Sequence, residues 1–238
     1  MHVDGANNMI PIKQEKILRK KKKLILKNTS AEVYKFDFKT NTLYIPLSET
    51  HFARKFEYFN NLEEIEFSIY NKIADGCAMF YKCHNLKKVI FTKKLDLKRV
   101  RNLSYLWYEC SSLVEIDLSN VVTSGELCDL ECAFEKCTSL KTVYFGFNFH
   151  SENVKNINAL FLGCRNLETI NWKAEQPFNN LRYTAHAFNG NKKLKYLDLR
   201  GMNFSNVEIM SQMFCSTSPE LKVLVNNTFD EEKLVVTF

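Results

Sequence analysis

One motif recurs through most of the chain and limits what it can fold into. Its template is aromatic-x-x-Cys-x-x-Leu-x-x-Ile/Val-x-Phe/Leu, and seven copies lie between residues 56 and 225. The anchoring leucines are 24 residues apart at the first step and 27 residues apart at the next five, at Leu62, Leu86, Leu113, Leu140, Leu167, Leu194 and Leu221. One such unit cannot bury its own apolar face, whereas stacked units share a continuous core. The sequence therefore predicts about seven stacked coils.

Two apolar periods alternate inside each unit. Leu127, Leu130 and Ala133 follow one another in steps of three, which places them on one stripe of a short helix. After the anchoring leucine, Ile116 and Leu118 lie two residues apart, as in a strand with one buried face. We therefore expect an α/β solenoid in which every coil contributes one short helix and one short strand, with the strands joined in a parallel sheet.

The pattern divides the chain into four segments. We assign residues 1–30 to a basic N-terminal arm, 31–55 to an N-terminal cap, 56–226 to the repeats and 227–238 to a C-terminal cap strand. The apolar alternation in VYKFDF and LYI, on either side of a Lys-Thr-Asn-Thr turn, predicts a hairpin in the N-terminal cap.

Several units resemble a known family. IDLSNVVTS (116–124), LDLRGMNFS (197–205), AFEKCTSLKTV (133–143) and LFLGCRNLETI (160–170) are similar to BspA-type leucine-rich repeats, which combine a Phe-x-x-Cys-x-x-Leu box with a strand ending in Asp-Leu-Ser. The resemblance implies a leucine-rich-repeat solenoid and an adhesion or protein-interaction scaffold, usually exposed at the cell surface. Here a basic run occupies the place of the apolar stretch of a signal peptide, so we expect a cytoplasmic protein.

The positive charge is concentrated at the N-terminal end. The net charge is +6, and residues 1–30 hold eight bases against two acids, whereas the remaining 208 residues carry 25 of each sign. The run Arg19, Lys20, Lys21, Lys22 and Lys23 is a candidate for phosphate contacts or for an anionic membrane surface. A solvated leader or a first helix is the alternative. Residues 13–27 thus offer a possible site for nucleic acid or a ribonucleoprotein.

The cysteines predict packing rather than chemistry. Four of the eight share one repeat position, at Cys83, Cys110, Cys137 and Cys164. Equivalent side chains on successive coils point in parallel, so we expect free, buried thiols rather than disulfides. The chain has no CxxC pair and no histidine at a useful spacing, and we predict neither a metal nor a cofactor.

No sequence motif indicates an enzyme. The chain lacks glycine-rich phosphate loops and a nucleophile elbow, and no run of about 18 apolar residues predicts a transmembrane segment. Glu115 and Asp117 lie two apart on one predicted strand face, which leaves a paired-carboxylate hydrolase open, although solvated carboxylates are the simpler interpretation. We therefore predict a non-enzymatic protein.

The outward face of the predicted sheet is the candidate partner-binding surface. Strand alternation directs every second side chain away from the core, and repeat proteins use such extended faces for recognition. The candidate residues are Glu115, Asp117, Tyr144, Asn171, Lys173, Tyr196, Asp198 and Arg200. We predict a scaffold that binds a macromolecule, most simply a protein. The alternative is an intracellular effector or inhibitor of a nucleic-acid-containing complex that uses the basic arm.

Overall fold

The computed structural model describes residues 10–172 and 178–226, which contain one helix and twelve strands. The helix is α1 (Ile12–Leu18), and the strands are β1 (Lys23–Thr29), β2 (Lys35–Asp37), β3 (Thr42–Pro46), β4 (Glu64–Ser68), β5 (Lys88–Phe91), β6 (Leu95–Asp96), β7 (Glu115–Asp117), β8 (Val121–Val122), β9 (Thr142–Phe145), β10 (Thr169–Trp172), β11 (Tyr196–Asp198) and β12 (Lys222–Leu224). The predicted closing strand, 227–238, lies outside the described residues.

The strands that follow the anchoring leucines stack in parallel. β1, β4 and β5 adjoin in a five-stranded sheet of order β2-β3-β1-β4-β5, β7, β9 and β10 form a three-stranded sheet, and β11 pairs with β12. Residues 27 apart face each other, as Ile116 faces Val143 and Val143 faces Ile170. Leu113, Leu140 and Leu167 just before these strands are fully buried. The predicted register of the repeat is therefore confirmed.

A column of aromatic rings runs through the core. The ring of each repeat packs on the equivalent ring of the next, with centroids 4.9 Å apart for Trp107 and Phe134 and 5.1 Å apart for Phe134 and Phe161. The column comprises Phe56, Phe80, Trp107, Phe134, Phe161, Phe188 and Phe214. Because ring separations of 4.5–7 Å are favourable for aromatic pairs, the motif's aromatic position ties neighbouring coils together.

The predicted helix of each coil is not formed. The segment consists of successive turns, in which alternate amides bond within the coil and to the next coil. Tyr108 N donates to Tyr105 O within the coil (3.1 Å), whereas Trp107 N donates to Ala133 O of the next (2.8 Å). Tyr105 and Glu109 adopt left-handed backbone angles, with φ of 58° and 55°. A helix would direct all its amides along its own axis, whereas these turns direct half of them along the stack.

Asparagine or aspartate residues begin these turn segments. In three successive coils a side-chain oxygen accepts a hydrogen bond from the amide two residues further on, at distances of 2.7–3.0 Å. The acceptors are Asn102, Asp129 and Asn156, and the donors are Ser104, Glu131 and Asn158. This local bond fixes the chain reversal. The same three acceptors also pair by parallel bridges, which forms a second ladder along the stack.

The turn geometry predicts that glycine is preferred at one repeat position. Gly163 and Gly190 occupy it with φ of 72° and 78°, and Ser216, exposed, occupies it with φ of 55°. Since the left-handed region costs an L side chain roughly 1 kcal/mol, Ser216→Gly should raise the free energy of unfolding by about 0.5–1 kcal/mol. Urea denaturation measures the change. Gly163→Ala is the matched control and should lower stability by a similar amount, because the added methyl group has room (3.7 Å to Lys136 Cγ) but the wrong φ. A destabilising Ser216→Gly would contradict this account.

Residues 10–30, the described part of the segment assigned to a basic arm, belong to the folded body, which corrects that assignment. β1 lies between β3 and β4, and its Leu24 and Leu26 are fully buried. Leu24 and Leu26 lie two apart and point into the core, whereas Lys23 and Lys27 on the other face of the strand reach solvent. The predicted hairpin is present, since β2 pairs antiparallel with β3.

A buried polar cluster joins this N-terminal region to the first repeat. Lys55 Nζ lies 2.6 Å from Glu49 Oε2, and the two side chains are only 7% and 2% exposed. The Tyr34 hydroxyl donates to the same carboxylate, and Asn71 Nδ2 donates to Glu49 O at 2.7 Å. Burial lowers the pKa of Lys55, because the cation loses its hydration. The ion pair offsets this loss and fixes the position of Lys55.

Candidate interaction surface

The outward face of the three-stranded sheet brings four of the predicted residues together. Asp117, Tyr144 and Asn171 are register partners on β7, β9 and β10 and therefore form one row across the sheet. Glu115 lies in the adjacent row of β7. The intervening Ile116 is buried, which directs the neighbouring side chains to the opposite, solvent-facing side. Strand alternation thus places this group on one surface.

The remaining predicted residues lie on a separate strand. Tyr196 and Asp198 are on β11, which belongs to a different sheet from β10, and Lys173 lies outside the described residues. Arg200 NH2 contacts Asp198 Oδ2 at 2.6 Å, and the guanidinium lowers the pKa of Asp198. Tyr196 is 53% exposed. The predicted face is therefore divided into two groups, and two of its charges are already paired with each other.

Aspartates at the ends of two strands stabilise the turns that follow those strands. Asp117 Oδ1 accepts a hydrogen bond from Ser119 N at 2.8 Å, and Asp198 Oδ1 accepts one from Arg200 N at 3.1 Å. Such side-chain bonds stabilise the turn that leaves the strand. The Asp of the Asp-Leu-Ser ending therefore serves the coil itself.

A shallow groove opens where the parallel ladder is interrupted. β5 and β7 belong to separate sheets, and a groove of about 190 Å³ lies between them. Lys88 lines one wall, and Glu115, Asp117 and Asn120 line the other. The groove therefore joins the outward row of β7 to a cation of the preceding coil and offers both charge signs to a ligand.

The predicted phosphate-contacting run is largely neutralised by carboxylates. Arg19 pairs with Glu15 at 2.7 Å, Lys22 with Glu63 at 2.9 Å and Lys23 with Glu64 at 2.6 Å. Glu15 lies on α1, whereas Glu63 and Glu64 lie in the first repeat, at the start of β4. Lys21 lies over the ring of Phe36 at 5.5 Å, and Lys20 is exposed. The run thus presents less free positive charge than its sequence indicates.

Glu63 is the centre of this pairing. Lys87 Nζ lies 2.7 Å from its second carboxylate oxygen, so that two lysines share one acid. The hydrogen bonds from Lys87 and Lys22 lower the pKa of Glu63 to about 2. The two ammonium groups therefore favour the ionised form of this carboxylate.

Sequence reasoning missed a tyrosine cluster on the turn side of the first coils. Tyr81 and Tyr108 are stacked with centroids 4.9 Å apart and an interplanar angle of 8°. Tyr58 meets Tyr81 edge to face at 5.6 Å, and Tyr105 lies 5.7 Å from Tyr108. A signal was present in the sequence, because two of these tyrosines directly follow a core aromatic residue and recur 27 positions apart.

Three cations surround this cluster. The Arg54 guanidinium lies 5.8 Å from the Tyr81 ring centre, Lys82 Nζ lies 5.3 Å from the same ring, and Lys136 Nζ lies 5.2 Å from that of Tyr108. We call Arg54, Tyr58, Tyr81, Lys82, Tyr108 and Lys136 the tyrosine edge. Such cation–π contacts fix the lysines and the arginine over the rings.

The four shared cysteines form the predicted column of buried thiols. Cys110 Sγ donates to Phe80 O at 3.2 Å, Cys137 Sγ to Trp107 O at 3.0 Å, and Cys83 and Cys164 make the equivalent bonds. Burial raises the pKa of the Cys83 thiol to about 12, which makes it a poor nucleophile. Within the described ranges, 10–172 and 178–226, no three metal-ligating side chains converge and no helix is long and apolar enough to cross a membrane.

Asn191 interrupts the thiol column and gives a second testable position. Its side chain is fully buried, and both polar atoms of its amide are without a hydrogen bond among the described residues. Asn191→Cys should raise the free energy of unfolding by about 1–3 kcal/mol, because it removes an unpaired buried amide and supplies a thiol for Phe161 O. The urea midpoint measures this change. The reverse exchange, Cys164→Asn, should lower the midpoint, and a loss of stability in Asn191→Cys would refute the argument.

The family of the repeats is identified by a family model, and one solved structure is similar to the chain. A crystal structure of a leucine-rich repeat protein from Bacteroides ovatus ATCC 8483 is 22% identical, with a TM-score of 0.45, and the alignment covers 87% of this chain and 54% of that one. The present chain thus spans about half the length of that structure. No curated protein matches the present chain. The family model of the BspA type leucine rich repeat region, with six copies, matches residues 49–231, and the chain belongs to this family.

Proposed function

We propose that the protein is a non-enzymatic interaction scaffold, a solenoid of about seven coils that binds a protein partner on the outward face of its sheet. The row of Asp117, Tyr144 and Asn171 carries this proposal, since parallel register aligns these three side chains on adjoining strands. Repeat proteins characteristically bind macromolecules on such extended faces. Tyrosine and arginine dominate many protein interfaces, and Tyr196 and Arg200 add both to the neighbouring group.

The charges favour a protein partner over nucleic acid. Nucleic-acid binding draws much of its affinity from a surplus of positive charge spread over many phosphates. Residues 31–238 carry 25 acidic and 25 basic side chains. The nucleic-acid hypothesis is tested by measuring nucleic-acid binding of the Lys20→Gln and Lys21→Gln variants in a salt series. Substitutions are preferred to deletion of residues 1–30, because the deletion would remove the central strand β1.

Affinity capture with matched variants tests the scaffold. The protein, the double variant Tyr144→Ser/Asn171→Lys and the control Gln212→Lys are used to capture partners from native lysate, followed by mass spectrometry. Gln212 is exposed on the turn side, so the control adds the same charge away from the sheet face. We expect a protein that the wild type and the control retain and the double variant loses. Identical capture by all three would reject the sheet face as the binding surface.

A further inference from the structure

The tyrosine edge is a built surface for which the scaffold proposal has no role. Its rings stack from one coil to the next, so their faces are covered by one another and by cations. Tyr58 nevertheless remains 47% exposed, and Tyr81 and Tyr108 are half-buried. The edge therefore presents ring edges, hydroxyl groups and cations rather than open ring faces, which are what stacking on a nucleobase requires.

Two of the three cations of this edge are more exposed than the carboxylates with which the edge pairs them. The side chains of Arg54 and Lys136 are 60% and 50% exposed, whereas their carboxylate partners Glu57, Glu109 and Glu135 are 27%, 23% and 11% exposed. The acids thus lie beneath the cations and hold them in place. A ligand that approaches from solvent meets the cations first.

The ion pairs leave the cations charged and ordered. Lys82 and Lys136 share Glu109, at 3.6 and 3.3 Å, and Lys136 Nζ also donates to the Tyr108 hydroxyl at 3.1 Å. The carboxylate of Glu109 raises the pKa of Lys82. Side chains that are already held in one conformation lose less entropy when a ligand binds. The edge is therefore pre-organised for an anionic group.

We propose that the tyrosine edge binds an acidic, extended segment of a protein partner, running along the stack from the coil of Arg54 to the coil of Lys136. With adjacent coils about 4.8 Å apart, these two cations are separated by roughly 14 Å, the length of four or five extended residues. Carboxylates of the segment pair with Arg54, Lys82 and Lys136, and tyrosine hydroxyls donate to its remaining acceptors. This inference stands independently of the sheet face.

Fluorescence anisotropy with a labelled peptide of alternating glutamate and glycine tests the proposal. Its counterpart of glutamine and glycine is the neutral control, and both are titrated at low and at moderate salt. We expect saturable binding of the acidic peptide alone, weakened by salt. The variant Arg54→Gln/Lys82→Gln/Lys136→Gln should lose about tenfold in affinity, since each lost charge pair contributes to association. No saturable binding of the acidic peptide would overturn the proposal.

A matched charge variant separates this site from general electrostatics. Lys88→Gln/Arg200→Gln/Lys222→Gln removes the same three charges from exposed positions on the sheet strands and their ends, and it should change the affinity less than twofold. Equal losses in both triple variants would mean that the peptide responds only to net charge. A loss confined to the sheet-side variant would place the peptide on the sheet face, which overturns this inference but leaves the scaffold proposal intact.

A third variant distinguishes the loss of a ligand contact from a loss of the fold. Tyr81→Phe/Tyr108→Phe keeps the stacked rings and removes only their hydroxyls, so the denaturation midpoint should be unchanged while the affinity falls about threefold. An unchanged affinity would remove the tyrosines from the proposed contact and overturn it. An oligouridylate is titrated in parallel. Tighter binding of the oligonucleotide, lost in the Arg54/Lys82/Lys136 variant, would assign the edge to nucleic acid instead.

Discussion

Glu49→Gln should lower the free energy of unfolding by about 3–5 kcal/mol, because it leaves the buried Lys55 ammonium without its counter-charge. The two groups are 2.6 Å apart and almost inaccessible to solvent. Removing one partner of such a pair exposes the whole desolvation penalty of the other. Urea denaturation followed by circular dichroism measures the loss.

Two controls make this result specific to the buried pair. Glu220 pairs with Lys195 at 2.8 Å with both side chains about 70% exposed, so Glu220→Gln should leave the denaturation midpoint nearly unchanged. The double variant Glu49→Gln/Lys55→Met also removes the unpaired cation and should therefore recover part of the lost free energy of unfolding. Equal effects of Glu49→Gln and Glu220→Gln would contradict the structural role given to the cluster.

Leu140→Ala should lower the free energy of unfolding by about 2–5 kcal/mol, because the removed side chain leaves a cavity in a core that neighbouring coils share. Leu140 is fully buried and lies in a central repeat. Leu167→Ala, one coil further on, should have a similar effect. The midpoint of chemical denaturation measures both changes.

An exposed residue in an adjacent coil provides the control. Val114 follows the anchoring leucine of its unit and is 41% exposed, so Val114→Ala should change stability by less than about 0.5 kcal/mol. If Leu140→Ala were as mild as Val114→Ala, the anchoring leucines would not form the shared core. The two positions differ by one step in the motif, which makes the comparison a direct test of its register.

The candidate surface was only partly accessible to sequence reasoning. Strand alternation placed Asp117, Tyr144 and Asn171 in one row, because a period of two fixes the face of each side chain. It did not reveal that the sheet divides between β10 and β11 or that Asp198 and Arg200 neutralise each other. A period of two predicts side-chain direction in strands only, whereas the rings of the tyrosine edge belong to the turns.

Two errors have the same origin. Apolar residues in steps of three predicted a helix, but turns that close every three residues bury the same positions. Whether the segment forms a helix or turns depends on amides such as Trp107 N, which bond to a carbonyl of the following coil. The basic run appeared as an arm because Glu63 and Glu64, which pair with Lys22 and Lys23, lie 41 residues away in the chain. Neither partner is visible within a local window.

The spacing of apolar residues by itself determined the repeat, the register of its strands and the column of anchoring leucines. Those features require only that each unit bury its apolar face against a similar neighbour. The repeat period of the apolar residues shows this directly in the sequence. The form of the turns, the neutralised basic run and the tyrosine edge were decided only in the tertiary structure. They depend on hydrogen bonds, ion pairs and ring contacts between coils, which arise when residues distant in the chain are brought together.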